Sequence, residues 1–225
     1  MTFFDQLHEH TTEARHKLLS STIITDCLAR RVSLETYRAF LVQAYHHVRH
    51  TVPLLMACGG RLPRRLAWLQ REIVHYIVEE QGHEQWISND IAATGADSAA
   101  LLAAGPSLAT ELMVSYAYDT VHRGNPIGFF GMVFVLEGTS VALATRAAGI
   151  IRSELGLPGE AFSYLSSHGG LDQEHIANYE RIVNRLDEPG DRAAVLHCAN
   201  VFFELYAGVF AGLPRASMTP GRAVA

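Results

Sequence analysis

The sequence predicts an all-α fold in a single domain. Apolar residues recur at helical spacing along most of the 225 residues, and no segment alternates apolar and polar residues as a half-buried strand would. Apolar residues make up 48% of the chain and charged residues 18%, which is enough to bury a sizeable core. We therefore expect a bundle of about seven helices over residues 1–213, followed by a mobile tail at 214–225.

Local signals place the ends of these helices. Ser residues that can cap, Pro residues that open helices and Gly residues that close them punctuate the apolar pattern. A polar loop is expected before residue 107. The predicted helices cover residues 2–28 with a bend near 20–25, 33–58 closed by Gly59 and Gly60, 64–93, 107–124, 126–156, 158–186 and 191–213.

Charge and cysteine usage exclude several classes of function. The formal net charge is −5 and no basic run is present, so we expect neither nucleic-acid nor membrane binding. The three cysteines, Cys27, Cys58 and Cys198, are odd in number, far apart in the sequence and form no CxxC pair. They are therefore expected to be reduced thiols in a cytoplasmic protein. The longest apolar run, 127–145, contains Glu137, which favours a buried helix of a soluble protein over a membrane span.

The 12 histidines are the unusual count. His168, Asp172 and His175 are spaced i, i+4 and i+7, so on a helix they share one face and could hold a cation. A solvated polar face is the alternative interpretation of this segment.

A second pair is Glu80 and His83, three residues apart, which is the spacing of Glu-x-x-His pairs in dimetal bundles. Glu79 is the reserve candidate. Glu-rich helix surfaces are common, so the pair alone is weak support for a metal site.

Glu137 is the strongest single signal, because it is the only ionisable residue between 127 and 145. Burying an unpaired carboxylate costs several kcal/mol, roughly, unless a cation or a hydrogen-bonding partner offsets it. A protonated or Arg-paired structural glutamate is the alternative.

Together these segments supply a mixed oxygen and nitrogen donor set that suits iron or manganese. Glu80 and Glu137 are also the expected catalytic carboxylates. In the second predicted helix, His46 or His50 could complete the set or could be an ordinary core or surface histidine. Small residues would give room at such a crowded centre; they are Gly138, Gly169 and Gly170.

The motifs follow one another in the order Glu-x-x-His, isolated Glu and His-x-x-x-Asp-x-x-His. In this order, and from about Leu7 to Leu213, the chain resembles the heme-oxygenase-like diiron oxidases and oxygenases, which are related to the TenA and PqqC proteins. The resemblance implies that His83 and His175 help to hold one iron and that Glu80 bridges two. It also implies that the other iron is held with the help of His168, Asp172 and Glu137. Many members place a further carboxylate on the second helix, where this chain has only histidines beyond Glu35. One or two Fe(II) ions are therefore expected.

The function that the resemblance implies is an O2-activating oxidase or oxygenase acting on a small amphipathic substrate, such as an amino acid or a fatty acid. Phe129, Phe130 and Phe134 would line or back its pocket. An external electron donor and a homodimer are further expectations, and haem is not expected as the cofactor.

Three alternatives remain at this point. His16 lies in a first helix that resembles the one presenting the axial histidine in heme oxygenases, which would make the protein a haem-degrading enzyme. A TenA-like hydrolase would need a cysteine near the middle of the chain, and residues 59–197 contain none. The third alternative is a non-catalytic relative that binds no metal.

Overall fold

The computed structural model describes residues 1–215, except for the side chains of residues 168–174. Within that part of the chain twelve α-helices are present and no β-strand, so the predicted all-α class is confirmed. The helices are α1 (Phe3–His10), α2 (Thr12–Leu19), α3 (Thr22–Leu28), α4 (Leu34–Val48), α5 (Thr51–Arg61), α6 (Ala67–Glu80), α7 (His83–Ala93), α8 (Ser98–Ala103), α9 (Leu108–His122), α10 (Phe129–Leu155), α11 (Ser163–Val183) and α12 (Pro189–Ala211).

Most predicted helix ends coincide with capping residues in the structure. The side chains of Ser33 and Ser107 accept hydrogen bonds from backbone N–H groups at the starts of α4 and α9. Gly156 ends α10 in the left-handed conformation, with φ 62°. The expected bend near residue 20 is confirmed, since α2 ends at Leu19 and α3 begins at Thr22.

Three predicted long helices are divided, and this raises the helix count above the seven expected. The run 2–28 breaks at Thr11 as well as at the expected bend. The run 33–58 breaks at Arg49 and His50, and its second part continues through both glycines to Arg61. The run 64–93 breaks at Gln81 and Gly82, where Gly82 has φ 91°. Residues with a side chain rarely adopt that φ, so glycine allows the break with little steric strain. A short helix, α8, also occupies part of the predicted loop before residue 107.

The helix α10 is the centre of the fold. It packs mainly against α11 and α12. Gly131 permits the second contact, because a Cβ at this position would lie 2.5 Å from the backbone nitrogen of Ala199 and 2.7 Å from the carbonyl oxygen of Val195. The packing of α10 on α12 thus fixes the position of Glu137, which lies six residues further along α10.

Two helices of the described residues, Pro126–Leu155 and Pro189–Ala211, are long and apolar enough to cross a membrane, judged by length and composition alone. Central helices of globular proteins pass the same test. In the first helix 61% of the apolar window is buried inside the bundle, as expected of a core helix.

A buried carboxylate joins the helices that bear the predicted ligands. Asp90 on α7 is fully buried and accepts hydrogen bonds from the backbone N–H groups of Ser163 and Tyr164 and from the Ser163 hydroxyl. Burial raises the pKa of Asp90, although these hydrogen bonds partly oppose the rise. The first turn of α11 is therefore anchored to the helix that begins at His83.

The end of the described chain rests on the bundle. The carbonyl oxygen of Pro214 accepts a hydrogen bond from the Thr36 hydroxyl at 2.7 Å, and Arg215 pairs with Asp26 at 3.0 Å. The predicted mobile tail otherwise falls on residues 216–225, which lie outside the described residues.

Candidate metal centre

The carboxylate of Glu137 faces the interior, as the sequence predicts. Its side chain is 10% exposed and stands on the face of α10 that is turned toward α11. Glu137 Oε1 lies 3.9 Å from Nδ1 of His175. Glu137 also contributes to the raised pKa of two buried phenols, after the larger effect of burial itself; these are Tyr76 and Tyr179.

Glu80 and His83 meet across the break between α6 and α7. Glu80 is the last residue of α6 and His83 is the first of α7, so the two are not on one continuous helix, as their spacing had suggested. Nδ1 of His83 nevertheless lies 3.0 Å from Glu80 Oε2, and the imidazole stacks on Trp86 with ring centroids 4.2 Å apart. The His83 side chain is buried, at 2% exposure, and that of Glu80 is largely buried, at 12%.

His175 on α11 brings the two carboxylates together. Its Nδ1 lies 4.0 Å from Glu80 Oε1 and 3.9 Å from Glu137 Oε1, while its Nε2 lies 3.4 Å from Glu79 Oε2. Helices α6 and α10 thus place three carboxylates around the imidazole that α11 supplies.

The other two predicted donors of α11 precede His175 on that helix. His168 and Asp172 lie among the side chains outside the described set, as do Gly169 and Gly170, so their predicted roles stay predictions. Gly138 has no described atom within 4 Å of a Cβ built on it, so in the described structure it gives no close approach. The close approach that a glycine does permit in α10 is at Gly131, where α10 packs on α12.

The second-helix histidines separate into two environments. Burial lowers the pKa of His46 and of His50; His46 lies edge-on to Tyr45, and His50 Nδ1 is 3.0 Å from the Tyr118 hydroxyl. Neither lines the central cavity. His47 does line it, with its ring 5.9 Å from that of Tyr206. The sequence feature that could have identified His47 is its spacing from Phe40, seven residues earlier, which puts both side chains on the same cavity-facing stripe of α4.

A long apolar cavity opens onto the carboxylate cluster. Its volume is about 180 Å³, and it follows one face of α10 from Phe129 to Ile151. From Glu137 to Ile151 this face extends roughly 21 Å, at about 1.5 Å per residue. Its polar end contains Glu80, Glu137 and Tyr76. Of the three predicted phenylalanines, Phe129 lines the cavity, while two pack behind it against Tyr179; these are Phe130 and Phe134.

Tyr76 is a site residue that the sequence did not reveal. Its hydroxyl is buried and has no hydrogen-bond partner among the described residues. Burial, followed by the carboxylate of Glu137, raises the pKa of this phenol far above its ordinary value, so it stays protonated. Tyr76 therefore offers an uncommitted hydrogen-bond donor at the polar end of the cavity.

The charges around this point fit a divalent cation. In the described part of the chain, the ion-pair partners of Glu79, Glu80 and Glu137 are histidines, and none is Lys or Arg. Buried carboxylates are normally paired or bound to metal, and a set of carboxylates and imidazoles without thiolates suits iron or manganese. Among the described side chains, no group of three His, Cys, Asp or Glu residues is close enough together to hold a metal ion.

The residues on which the alternative functions depend are His16 and the cysteines. His16 is exposed on α2 and does not line the cavity. Cys58 and Cys198 are buried, and burial raises the pKa of Cys58 to about 12. Cys27 lies on the cavity wall, where burial raises the pKa of its thiol also.

Solved structures share the fold over nearly the whole chain. A protein with a heme oxygenase-like fold from Shewanella denitrificans superposes with a TM-score of 0.82 at 21% identity, covering 94% of this chain and 91% of that one. A TenA homologue from Pseudomonas syringae gives 0.77 at 12% identity, covering 93% and 91%. Heme oxygenase-1 from Synechocystis, in complex with haem, gives 0.74 at 12% identity, covering 94% and 91%. The predicted heme-oxygenase-like bundle is confirmed.

Sequence comparison gives the family. A search of curated proteins gave no match. The family model described as iron-containing redox enzyme matches residues 38–207, which include every predicted ligand. The chain belongs to this iron-containing redox enzyme family.

Proposed function

We propose that the protein is a non-haem iron oxidoreductase that activates O2, with Glu80, His83, Glu137 and His175 holding the metal. The observation that carries this proposal is the convergence of Glu80, Glu137 and His175 from three helices, inside the protein and with no Lys or Arg among their ion-pair partners in the described residues. A cation offsets the cost of burying these carboxylates together. Family membership makes iron the first choice, and the donor chemistry also accepts manganese.

The number of ions depends on ligands beyond the described set. The four residues above provide donors for a first ion. A second ion would need His168 and Asp172, together with a side chain from α4. His47 is the α4 histidine that lines the cavity, so we propose it, rather than His46 or His50, for that position.

Each residue of the centre has a task in this function. Bound Fe(II) would supply the electrons with which O2 is activated, and an external donor would restore them. Glu80 and Glu137 contribute negative charge and oxygen donors, and His83 and His175 contribute imidazole nitrogens. The Tyr76 hydroxyl donates a hydrogen bond to a polar group that enters this end of the cavity. The apolar walls exclude water from that group.

The cavity also indicates the class of substrate. Its length and apolar walls suit a slender molecule with an apolar body, and its polar end suits a head that can accept a hydrogen bond from Tyr76. A fatty acid or an amino acid with an apolar side chain has this layout, and desaturation, hydroxylation or oxidative cleavage are the reaction types that such a centre supports.

Iron content tests the proposal. Purified protein is loaded anaerobically with Fe(II), desalted and analysed for iron. We expect one or two ions per chain in the wild type and less iron in His83→Ala and in His175→Ala. His197→Ala, on the exposed face of α12, is the matched control and retains the wild-type content. Unchanged stoichiometry in both site variants contradicts the proposal.

Two further readouts distinguish the alternative functions. A Soret shift with haemin that His16→Ala abolishes would favour haem degradation. A wild-type protein that takes up no iron would favour a non-catalytic relative.

A further inference from the structure

His175 presents its two ring nitrogens to different carboxylates. Nδ1 is directed at the centre, 4.0 Å from Glu80 Oε1 and 3.9 Å from Glu137 Oε1. Nε2 is on the opposite edge of the ring, 3.4 Å from Glu79 Oε2. Glu79 and Glu80 are consecutive on the last turn of α6, and neighbouring helical residues diverge by about 100° around the axis. They therefore bracket the imidazole from two sides.

Glu79 is held between His175 and the surface. Its Oε1 lies 3.1 Å from Nε2 of His75, an i,i+4 neighbour that is 61% exposed. Its Oε2 is buried and has no hydrogen bond within the described structure. Buried polar atoms without a hydrogen bond are uncommon in native proteins and call for a functional or structural reason. The nearby Nε2 of His175 supplies one.

We infer that Glu79 is a positioning residue and not a metal ligand. It accepts the Nε2–H of His175, so the ring keeps the tautomer whose Nδ1 lone pair points at Glu80 and Glu137. His75 holds the other oxygen of Glu79 from the solvent side. The inference rests on the proposed function in one respect only, namely that the atom facing Nδ1 is a metal ion. Histidines that bind metals commonly donate their second N–H in this way, and the loss of such a partner weakens metal affinity by about 10- to 100-fold.

The tautomer is tested first, in metal-free protein labelled with ¹⁵N at histidine. Long-range ¹H–¹⁵N spectra assign the protonated nitrogen of His175, and His175→Ala identifies its signals. We expect Nε2–H in the wild type and in Glu79→Gln, whose amide oxygen still accepts a hydrogen bond. In Glu79→Ala we expect this preference to be lost. A wild-type ring protonated at Nδ1 alone, or a spectrum that Glu79→Ala leaves unchanged, overturns the inference.

Metal binding is tested second, with Mn²⁺ alone as the probe. Glu79→Ala should weaken Mn²⁺ binding by about 10- to 100-fold at unchanged stoichiometry. Glu79→Gln and His75→Ala should have smaller effects. Glu111→Ala, exposed on α9, is the matched control. A loss of one ion per chain in Glu79→Ala, as expected of Glu80→Ala, would make Glu79 a ligand and overturn the inference.

The two proposals can fail separately. If wild-type protein binds no Mn²⁺ and no Fe(II) while His175 keeps its Glu79-dependent tautomer, the proposed function is wrong and the positioning contact stands. If metal binds normally and Glu79→Ala changes neither spectrum nor affinity, the positioning role is wrong and the proposed function stands.

Discussion

Replacing Asp90 with alanine should destabilise the protein through the start of α11. The wild-type carboxylate is fully buried and accepts three hydrogen bonds, including those from the backbone N–H groups of Ser163 and Tyr164, at 3.0 and 2.9 Å. Alanine removes the acceptor and leaves both N–H groups without it. The variant therefore tests whether α7 and α11, which carry His83 and His175, are held together by this contact.

The magnitude follows from the groups left unpaired. Each buried N–H without a partner costs about 1–3 kcal/mol. Part of this loss is recovered, because the raised pKa of Asp90 shows that burying the carboxylate is itself unfavourable. We therefore expect a net loss of about 3 kcal/mol in the free energy of unfolding for Asp90→Ala. For a chain of this length that corresponds to a decrease in Tm of roughly 6–12 °C.

Circular dichroism during thermal and urea unfolding measures this loss. Asp97→Ala is the matched control, since Asp97 caps the short surface helix α8 with an exposed side chain and should cost about 1 kcal/mol or less. Asp90→Asn keeps one acceptor oxygen and should fall between wild type and Asp90→Ala. An Asp90→Ala protein within about 0.5 kcal/mol of wild type would refute the reasoning.

Three further predictions concern packing, pH and the cavity. Gly131→Ala should lose about 1–3 kcal/mol in urea unfolding because its Cβ meets the α12 backbone, whereas Gly149→Ala, in open space on the same helix, should gain about 0.5–1 kcal/mol. Burial lowers the pKa of His46 below 6.5. The contribution of His46 to stability is therefore present above that pH and is lost as pH falls through the folded pKa. Tm should fall between about pH 8 and pH 5, and it should fall less in His46→Gln than in the wild type. Ala147→Phe should fill the cavity and weaken binding of an apolar fluorescent probe, while Ala142→Phe, exposed on the same helix, should not; equal binding by both variants would show that the probe does not enter the cavity.

Helix class and most helix ends were predictable because they depend on local chemistry. Ser33, Ser107 and Gly156 act through their own side chains or backbone freedom, which the sequence displays directly. The breaks at His50 and Gly82 were not predicted. An isolated glycine is tolerated inside a helix, so whether the chain turns there depends on how α6 and α7 pack.

The candidate site was predictable to the extent that it depends on unusual residues. Glu137 is conspicuous as a lone charge in an apolar helix, and it is buried. Glu80 and His83 meet even though their helix is broken, since a two-residue turn keeps them close. Tyr76 was missed because an aromatic residue at helical spacing is typical of any core. His47 was passed over because three histidines within five residues leave the rotation of α4 undetermined until it is packed.

The central claim is that a cation balances the buried carboxylates of Glu80 and Glu137. The most direct test is anomalous scattering at the iron edge from crystals of protein loaded anaerobically with Fe(II). We predict one or two iron peaks, with at least one within coordination distance of both carboxylates and of Nδ1 of His175. Iron bound only at the protein surface, or a Glu137 carboxylate without metal in fully loaded crystals, would contradict the account.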